Sequence, residues 1–326
     1  MAMLLAMVMA FAFLTPMYAG DELVFGEIKG EVSLVEVDGS VFAIAEYVDD
    51  YYRITRTLQR TGRSLTPSRA DANEGRRILV AMGMCEEMAD MIPIEDLETI
   101  ATSPFVTGTV VYVEETHEGV SRYVSAEYAR IQAAYANTLL DANFMNVAPM
   151  NSGEYINSYI RVLHVVSRVA GNPRELLHAS GAHWLSMPFN RGFGSLGVVT
   201  QQSNAIFGLS TGHFSYSFGS TIRSGTIPVT YHVAGSFAAP GITFRLPPRD
   251  QFEIFVTATD FRVTMGHRTE FINQTLPFSV ASQATYTHRI TGIGAPSLSI
   301  GLGGLGLGLG FTSFYRHYTA QVRINP

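Results

Sequence analysis

The 326-residue chain has one cysteine, Cys85, one tryptophan, Trp184, and one lysine, Lys29, against 21 arginines. A single thiol excludes an internal disulfide and a cysteine-built metal cage. Cys85 sits among methionines in AMGMCEEMADM and reads as a small apolar side chain; the adjacent Glu86 and Glu87 oppose a thiolate nucleophile. Charge is also scarce, at 15% against roughly 25% in an average soluble chain. Ser, Thr, Asn, Gln and Gly must therefore supply much of the polar surface. No Lys/Arg run exists, so nucleic acid is not an expected partner. Patterns that carry chemistry are absent too: no GxSxG, HExxH, phosphate-binding loop, dinucleotide fingerprint or calcium loop. No cofactor and no metal site is expected. Asn273-Gln274-Thr275 fits a glycosylation acceptor, as one tripeptide in a chain of this length does by chance.

Apolar content is not scarce. It reaches 47%, with aromatic and β-branched residues enough for a folded core. Residues 2–14 form an uninterrupted apolar run followed by Thr15, Pro16 and a small Ala19. This reads as a secretory signal ending near Ala19, or as an anchor with peripheral membrane contact at the N-terminus. Two features fit a signal poorly: no Lys or Arg precedes the run, and Met17 is large for its place. Export to the periplasm, cell surface or medium is the expected localisation, and a virion the alternative. The net charge of −6 divides unevenly: residues 1–184 carry 24 acids and 13 bases, residues 185–326 carry 4 acids and 9 bases. Regions of opposite sign, −11 and +5, attract each other within a chain or between copies.

Periodicity predicts an α+β protein: a mixed α/β, mainly helical region over 20–185, then an all-β sandwich of jelly-roll or immunoglobulin-like kind over 186–326. Residues 22–37 alternate as strands. Val41, Ile44, Val48, Tyr51 and Leu58 fall at helical spacing up to Gly62. Helices are expected at 76–91, at IEDLETIA, from Ser125 to about Phe144, and over EYINSYIRVLHVVSRVAG, with a last turn at PRELLHASGAHWL. A strand is expected around Thr109–Glu114. After Pro188 about eight short strands follow, with turns at 224–226, 239–241, 247–250 and 266–270.

The stretch GAPSLSIGLGGLGLGLGF, residues 294–311, has seven glycines and no charge. Leu298, Ile300 and Leu302 occupy even positions, whereas Leu305, Leu307, Leu309 and Phe311 occupy odd ones. The change of phase at Gly303-Gly304 predicts a hairpin with Leu302 facing Leu305, or else a bulge. Glycine weakens strands, so the bare face needs a reason. Three are open: coverage by a flat partner such as a second copy, a membrane-inserting hairpin, or a tolerant tip. An open hairpin cannot cross a bilayer with unpaired edges, so insertion would need a ring of copies. Leu298, Ile300, Leu302, Gly303, Gly304, Leu305, Leu307, Leu309 and Phe311 are accordingly the candidate self-association surface.

Histidines offer little. His178 and His183 are five apart, where helical zinc ligands are four apart, and they read as structural groups beside Trp184. His213, His232, His267, His288 and His317 are scattered through predicted strands. One of them could join Asp250, Asp260 or Ser279 in a catalytic trio, which sequence order cannot reveal. The expected function is a non-enzymatic structural or assembly component of an exported envelope or surface complex. Its expected partners are copies of itself or other assembly subunits. The alternatives are a jelly-roll capsid or virion surface protein, and an exported hydrolase with a site between the two regions.

Overall fold

A computed structural model describes residues 29–37, 40–60, 71–116, 120–145, 157–186, 193–200, 205–207, 211–218, 221–234, 237–245, 258–271, 280–301 and 304–324. The strands are β1 (Lys29–Val37), β2 (Ser40–Val48), β3 (Ile54–Arg60), β4 (Phe105–Glu115), β5 (Ser121–Val124), β6 (Ser158–Arg168), β7 (Glu175–Ser186), β8 (Phe193–Thr200), β9 (Ala205–Phe207), β10 (Thr211–Phe218), β11 (Thr221–Ile227), β12 (Val229–Ala234), β13 (Phe237–Arg245), β14 (Ala258–Phe271), β15 (Val280–Gly301) and β16 (Gly304–Ile324). The helices are α1 (Ala72–Ala81), α2 (Glu86–Ala89), α3 (Ile94–Thr102) and α4 (Ala126–Met145). The protein is mostly β, in two antiparallel sheets with few helices.

The larger sheet has eleven strands in the order β1-β2-β3-β4-β6-β7-β14-β10-β11, with β5 also on β4 and β9 also on β14. The smaller runs β12-β13-β8-β15-β16. Side-chain alternation along the central strands sorts residues between two cores. Val106, Val110, Leu163, Val165, Leu177 and Ala179 pack with Ile78, Leu79, Met82 and Met88 of the helical layer. Their neighbours Val111, Val113, Ile160, Val162, Ala182 and Trp184 pack with Leu196, Ile242, Phe244, Tyr286 and Tyr318 of the smaller sheet. The large sheet is therefore the middle layer, with helices on one face and the second sheet on the other. Strands from both sides of residue 186 share it: β14 pairs with β7 from Arg262↔His183 to Glu270↔Glu175.

This burial on two faces corrects several expectations. SYIRVLHVVSR is strand β6 and not a helix, and ELLHASGAHWLS is strand β7. A strand covered on both faces loses its polar/apolar alternation and reads as a continuous apolar run, which periodicity cannot tell from a buried helix. In β7 Gly181 is required, because a Cβ there would lie 2.3 Å from Met88 Cε and 3.0 Å from Val263 O. The expected helix after Val41 is the β2–β3 hairpin. Its turn is built by Asp49, whose Oδ1 accepts from the backbone N–H of Tyr51 at 3.0 Å and of Arg53 at 2.9 Å. The expected turns at 224–226, 239–241 and 266–270 lie inside β11, β13 and β14; the turn at 247–250 lies outside the described residues.

α4 appears where the pattern placed it, whereas α1 begins at Ala72, four residues before the helix expected from 76. α4 buries Ala129, Ala133 and Ala136 at helical spacing. α1 starts at Asp71, whose side chain accepts from Asn73 N–H, and ends before Gly83, whose φ of 106° a side-chain-bearing residue rarely adopts. That glycine divides the single helix expected over 76–91 into α1 and α2.

Candidate functional site

β15 and β16 are 22 and 21 residues long, and they pair with each other from Val280↔Ile324 to Gly301↔Gly304. β8 borders β15 only from Thr200↔Ser282 to Gly194↔His288. Beyond that point the hairpin continues as a two-stranded ribbon whose described residues pair with no third strand. Leu298 pairs with Leu307, Ile300 with Leu305, and Ile293 with Phe311. Leu305 thus pairs with Ile300, and the expected Leu302–Leu305 pairing does not form; Leu302 and Gly303 lie outside the described residues. The hairpin itself is as expected, with Gly304 inside β16.

Along β16 the alternate positions change in composition. In the proximal part Tyr318, Ala320, Val322 and Ile324 are buried against the body, while Tyr315, His317, Gln321 and Arg323 are exposed. Farther along the strand Gly310, Gly308, Gly306 and Gly304 alternate with Phe311, Leu309, Leu307 and Leu305. β15 carries a register shift between Ile293 and Pro296. It brings Leu298 and Ile300 onto the leucine face of β16 and leaves Ser297, Ser299 and Gly301 on the glycine face.

Polar contacts fasten the proximal hairpin to the large sheet. Trp184 Nε1 donates to Tyr286 Oη at 2.7 Å, and Tyr318 Oη donates to Glu115 Oε2 at 2.5 Å. His288 Nε2 lies 3.0 Å from the same carboxylate oxygen. Ser282 Oγ meets His164 Nε2 at 2.8 Å and His178 Nδ1 at 3.3 Å. His164, His178 and His267, on β6, β7 and β14, stack at ring-centroid distances of 5.6 and 4.3 Å, and all three are fully buried. Burial disfavours their charged forms: His178 is pushed down to about 3, and His164 and His267 fall well below the ordinary range, with neighbouring imidazoles adding to the effect. Near-parallel stacked rings do not converge on one point, and among the described residues no His/Cys/Asp/Glu group could hold a metal ion.

A second polar cluster lies on the helix side of the sheet. Because β7 is a strand, the five-residue spacing sends His178 and His183 to opposite faces. Arg161 Nη2 donates to His183 Nδ1 at 3.0 Å, which leaves the proton on Nε2, donated to Asp260 Oδ1 at 2.5 Å. Arg262 bonds the other Asp260 oxygen. Asp260 has φ of 61° and sits where the β14–β10 register slips between Ser215 and Ser217. The bulge turns its carboxylate towards His183. Burial holds His183 down to about 4, helped by the Arg161 and Arg262 charges and opposed by the Asp260 bond. Burial would raise Asp260, but His183 and Arg262 outweigh it and keep its pKa low. Next to this cluster is an open cleft of about 740 Å³ lined by Arg56, Arg130, Arg161, Cys85, Glu86 and Glu87, among others.

Both ring nitrogens of His183 are thus engaged, and no hydroxyl or thiol is hydrogen-bonded to it. The group is arranged to hold β6, β7 and β14 together, with no lone pair left to act as a base. Of the acids named from sequence, Asp260 does join a histidine, but the partner is His183; Asp250 and Ser279 lie outside the described residues. His317 bonds Thr287 at 2.9 Å, and His213 is partly buried on β10; His232 lies on β12. Sequence reasoning missed the His164–His178–Ser282 contact, which joins residues more than a hundred positions apart.

No protein-family model matches the chain, and no curated protein sequence matches it. Among solved structures, the C-terminal domain of the Streptococcus agalactiae AgI/II polypeptide BspA aligns over 82% of this chain and 92% of its own, at 6% identity and a TM-score of 0.26. The collagen-binding domain of Erysipelothrix rhusiopathiae surface protein RspB aligns over 68% and 66%, at 9% identity and a TM-score of 0.25. Superpositions of that quality do not establish a shared topology.

Proposed function

We propose that this protein is a non-enzymatic, exported assembly component that self-associates through the distal β15–β16 ribbon. The observation that carries the reading is the two-stranded ribbon beyond His288, which no third strand borders among the described residues and whose register pairs Leu298 with Leu307 and Ile300 with Leu305. A charge-free ribbon of alternating leucine and glycine beyond the body's own sheet is suited to contact with another chain. Exposed apolar strand surface with unpaired edges is unfavourable in water unless another chain covers it. The engagement of both His183 nitrogens supports a non-catalytic role. Light scattering on the full chain tests this. The native protein is expected to form oligomers, and the triple variant Leu305→Ser, Leu307→Ser, Leu309→Ser a folded monomer. A native chain that stays monomeric at every concentration would remove the proposal.

A further inference from the structure

Resting on that self-association reading, we infer what the assembled ribbon is for: a ring of copies closes the distal hairpins edge to edge into a β-barrel that crosses a lipid bilayer. Between Arg289 and Arg316 the hairpin has no Asp, Glu, Lys, Arg or His. The uncharged strand segments are 290–301 and 304–314. A tilted strand needs about 9–11 residues to span the hydrocarbon, so each limb is long enough. The register supplies the two surfaces such a strand requires. Ile293, Pro296, Leu298, Ile300, Leu305, Leu307, Leu309 and Phe311 fall on one face, which suits lipid. Ser297, Ser299, Gly301, Gly304, Gly306, Gly308 and Gly310 fall on the other, which suits a water-filled lumen or closely approaching backbone.

The boundaries are placed for the same purpose. Charge returns on both limbs at one level, since Arg289 pairs with Tyr315 and His288 with Arg316. Tyr315 is 61% exposed there, and tyrosine is enriched where a barrel meets the membrane–water interface. This level is one residue beyond the last pairing of β15 with β8, so the crossing segment begins where the globular body ends. The outer edges of the distal ribbon have no third strand among the described residues. Inside hydrocarbon those edges must pair, and only closure into a ring satisfies them. With two strands per copy and about eight strands in the smallest barrels, closure takes about four copies or more.

The test uses the full chain with phosphatidylcholine–phosphatidylglycerol (7:3) vesicles loaded with a self-quenched small dye. Single-cysteine variants Leu305→Cys, Gly306→Cys, Leu307→Cys, Gly308→Cys and Leu309→Cys, each with Cys85→Ser, carry an environment-sensitive fluorophore. The expected result is dye release together with an emission blue shift at 305, 307 and 309 but not at 306 and 308. Leu307→Arg is expected to lower release tenfold or more. Oligomers in light scattering without release or alternation would overturn the membrane inference and leave the self-association reading standing. Neither oligomers nor release would sink both. Release undiminished by Leu307→Arg would also overturn the inference, by locating the lytic element elsewhere, such as the apolar residues 2–14.

Discussion

The proximal and distal halves of the β15–β16 hairpin share one backbone ladder and differ in almost everything else. In the proximal half the body-facing residues are large and specific: Tyr286, Tyr318 and His288 find partners in Trp184, Glu115 and Ser121. In the distal half no residue between Arg289 and Arg316 is charged, and the register pairs leucine with leucine or isoleucine, with glycine and serine at the alternate positions. The comparison separates a part held by the protein's own body from a part that no third strand borders among the described residues.

The difference can be sharpened by titration, where the largest effect is expected. The folded-state pKa values of His164, His178 and His267 lie below the roughly 6.5 of an unfolded chain. The unfolded state therefore binds more protons on acidification, and stability rises with pH in this window. The contribution is fully present above about pH 6.5 and is lost as pH falls, for His178 towards about 3. By pH 5 His178 is expected to have cost on the order of 2 kcal/mol, and His164 and His267 to have added losses of the same sign. Urea unfolding at pH 7.5, 6 and 5 measures this; a midpoint unchanged over that range would show that the imidazoles are not held neutral by burial. Because Ser282 joins two of them to β15, loosening of the hairpin base is expected to accompany the loss.

Next in size is Trp184→Ala. Trp184 is fully buried, stacks edge-on to Tyr286 and donates to its hydroxyl. Removing it is expected to destabilise the protein by about 3–5 kcal/mol through the cavity and the orphaned hydroxyl. Thermal and urea unfolding check the value, and a loss below about 1 kcal/mol would show that the two sheets are not joined at this point. The smallest effect is expected at the other end of the comparison. Leu307→Ser should leave monomer stability within about 0.5 kcal/mol, as at an ordinary surface position. A large drop in the unfolding midpoint of dilute monomer would mean that the distal leucines pack on the body after all.

Much of the fold was legible where one face of an element is wet. The alanines of α4 and the turn of phase in the glycine–leucine stretch declare themselves by local period, and the strand around Thr109–Glu114, though covered on both faces, was legible from its β-branched and aromatic residues. β6 and β7 did not, because helices cover one face and the second sheet the other, and continuous burial erases the alternation. The β2–β3 hairpin was masked by a chance helical spacing of Val41, Ile44, Val48 and Tyr51. Its signal was the Asp49-Asp50 pair, an Asx-turn sequence between β-branched runs. The polar clusters were less visible still. Asp260 reaches His183 only because β14 bulges, and a bulge is a property of strand pairing that no window of sequence contains.

By itself, then, the sequence determined the chemistry of the distal ribbon: a charge-free hairpin with leucine on alternate positions and glycine between them, since a period of two follows from the geometry of a single strand. Only the tertiary structure decided where the ribbon begins. Its start is set by the last pairing of β15 with β8, at His288 and Gly194, and Tyr318, Ala320 and Val322 are buried because the proximal hairpin lies across the large sheet. Which histidines are buried was decided in the same way, because burial of a strand residue depends on the layers above and below it, and those come from distant parts of the chain.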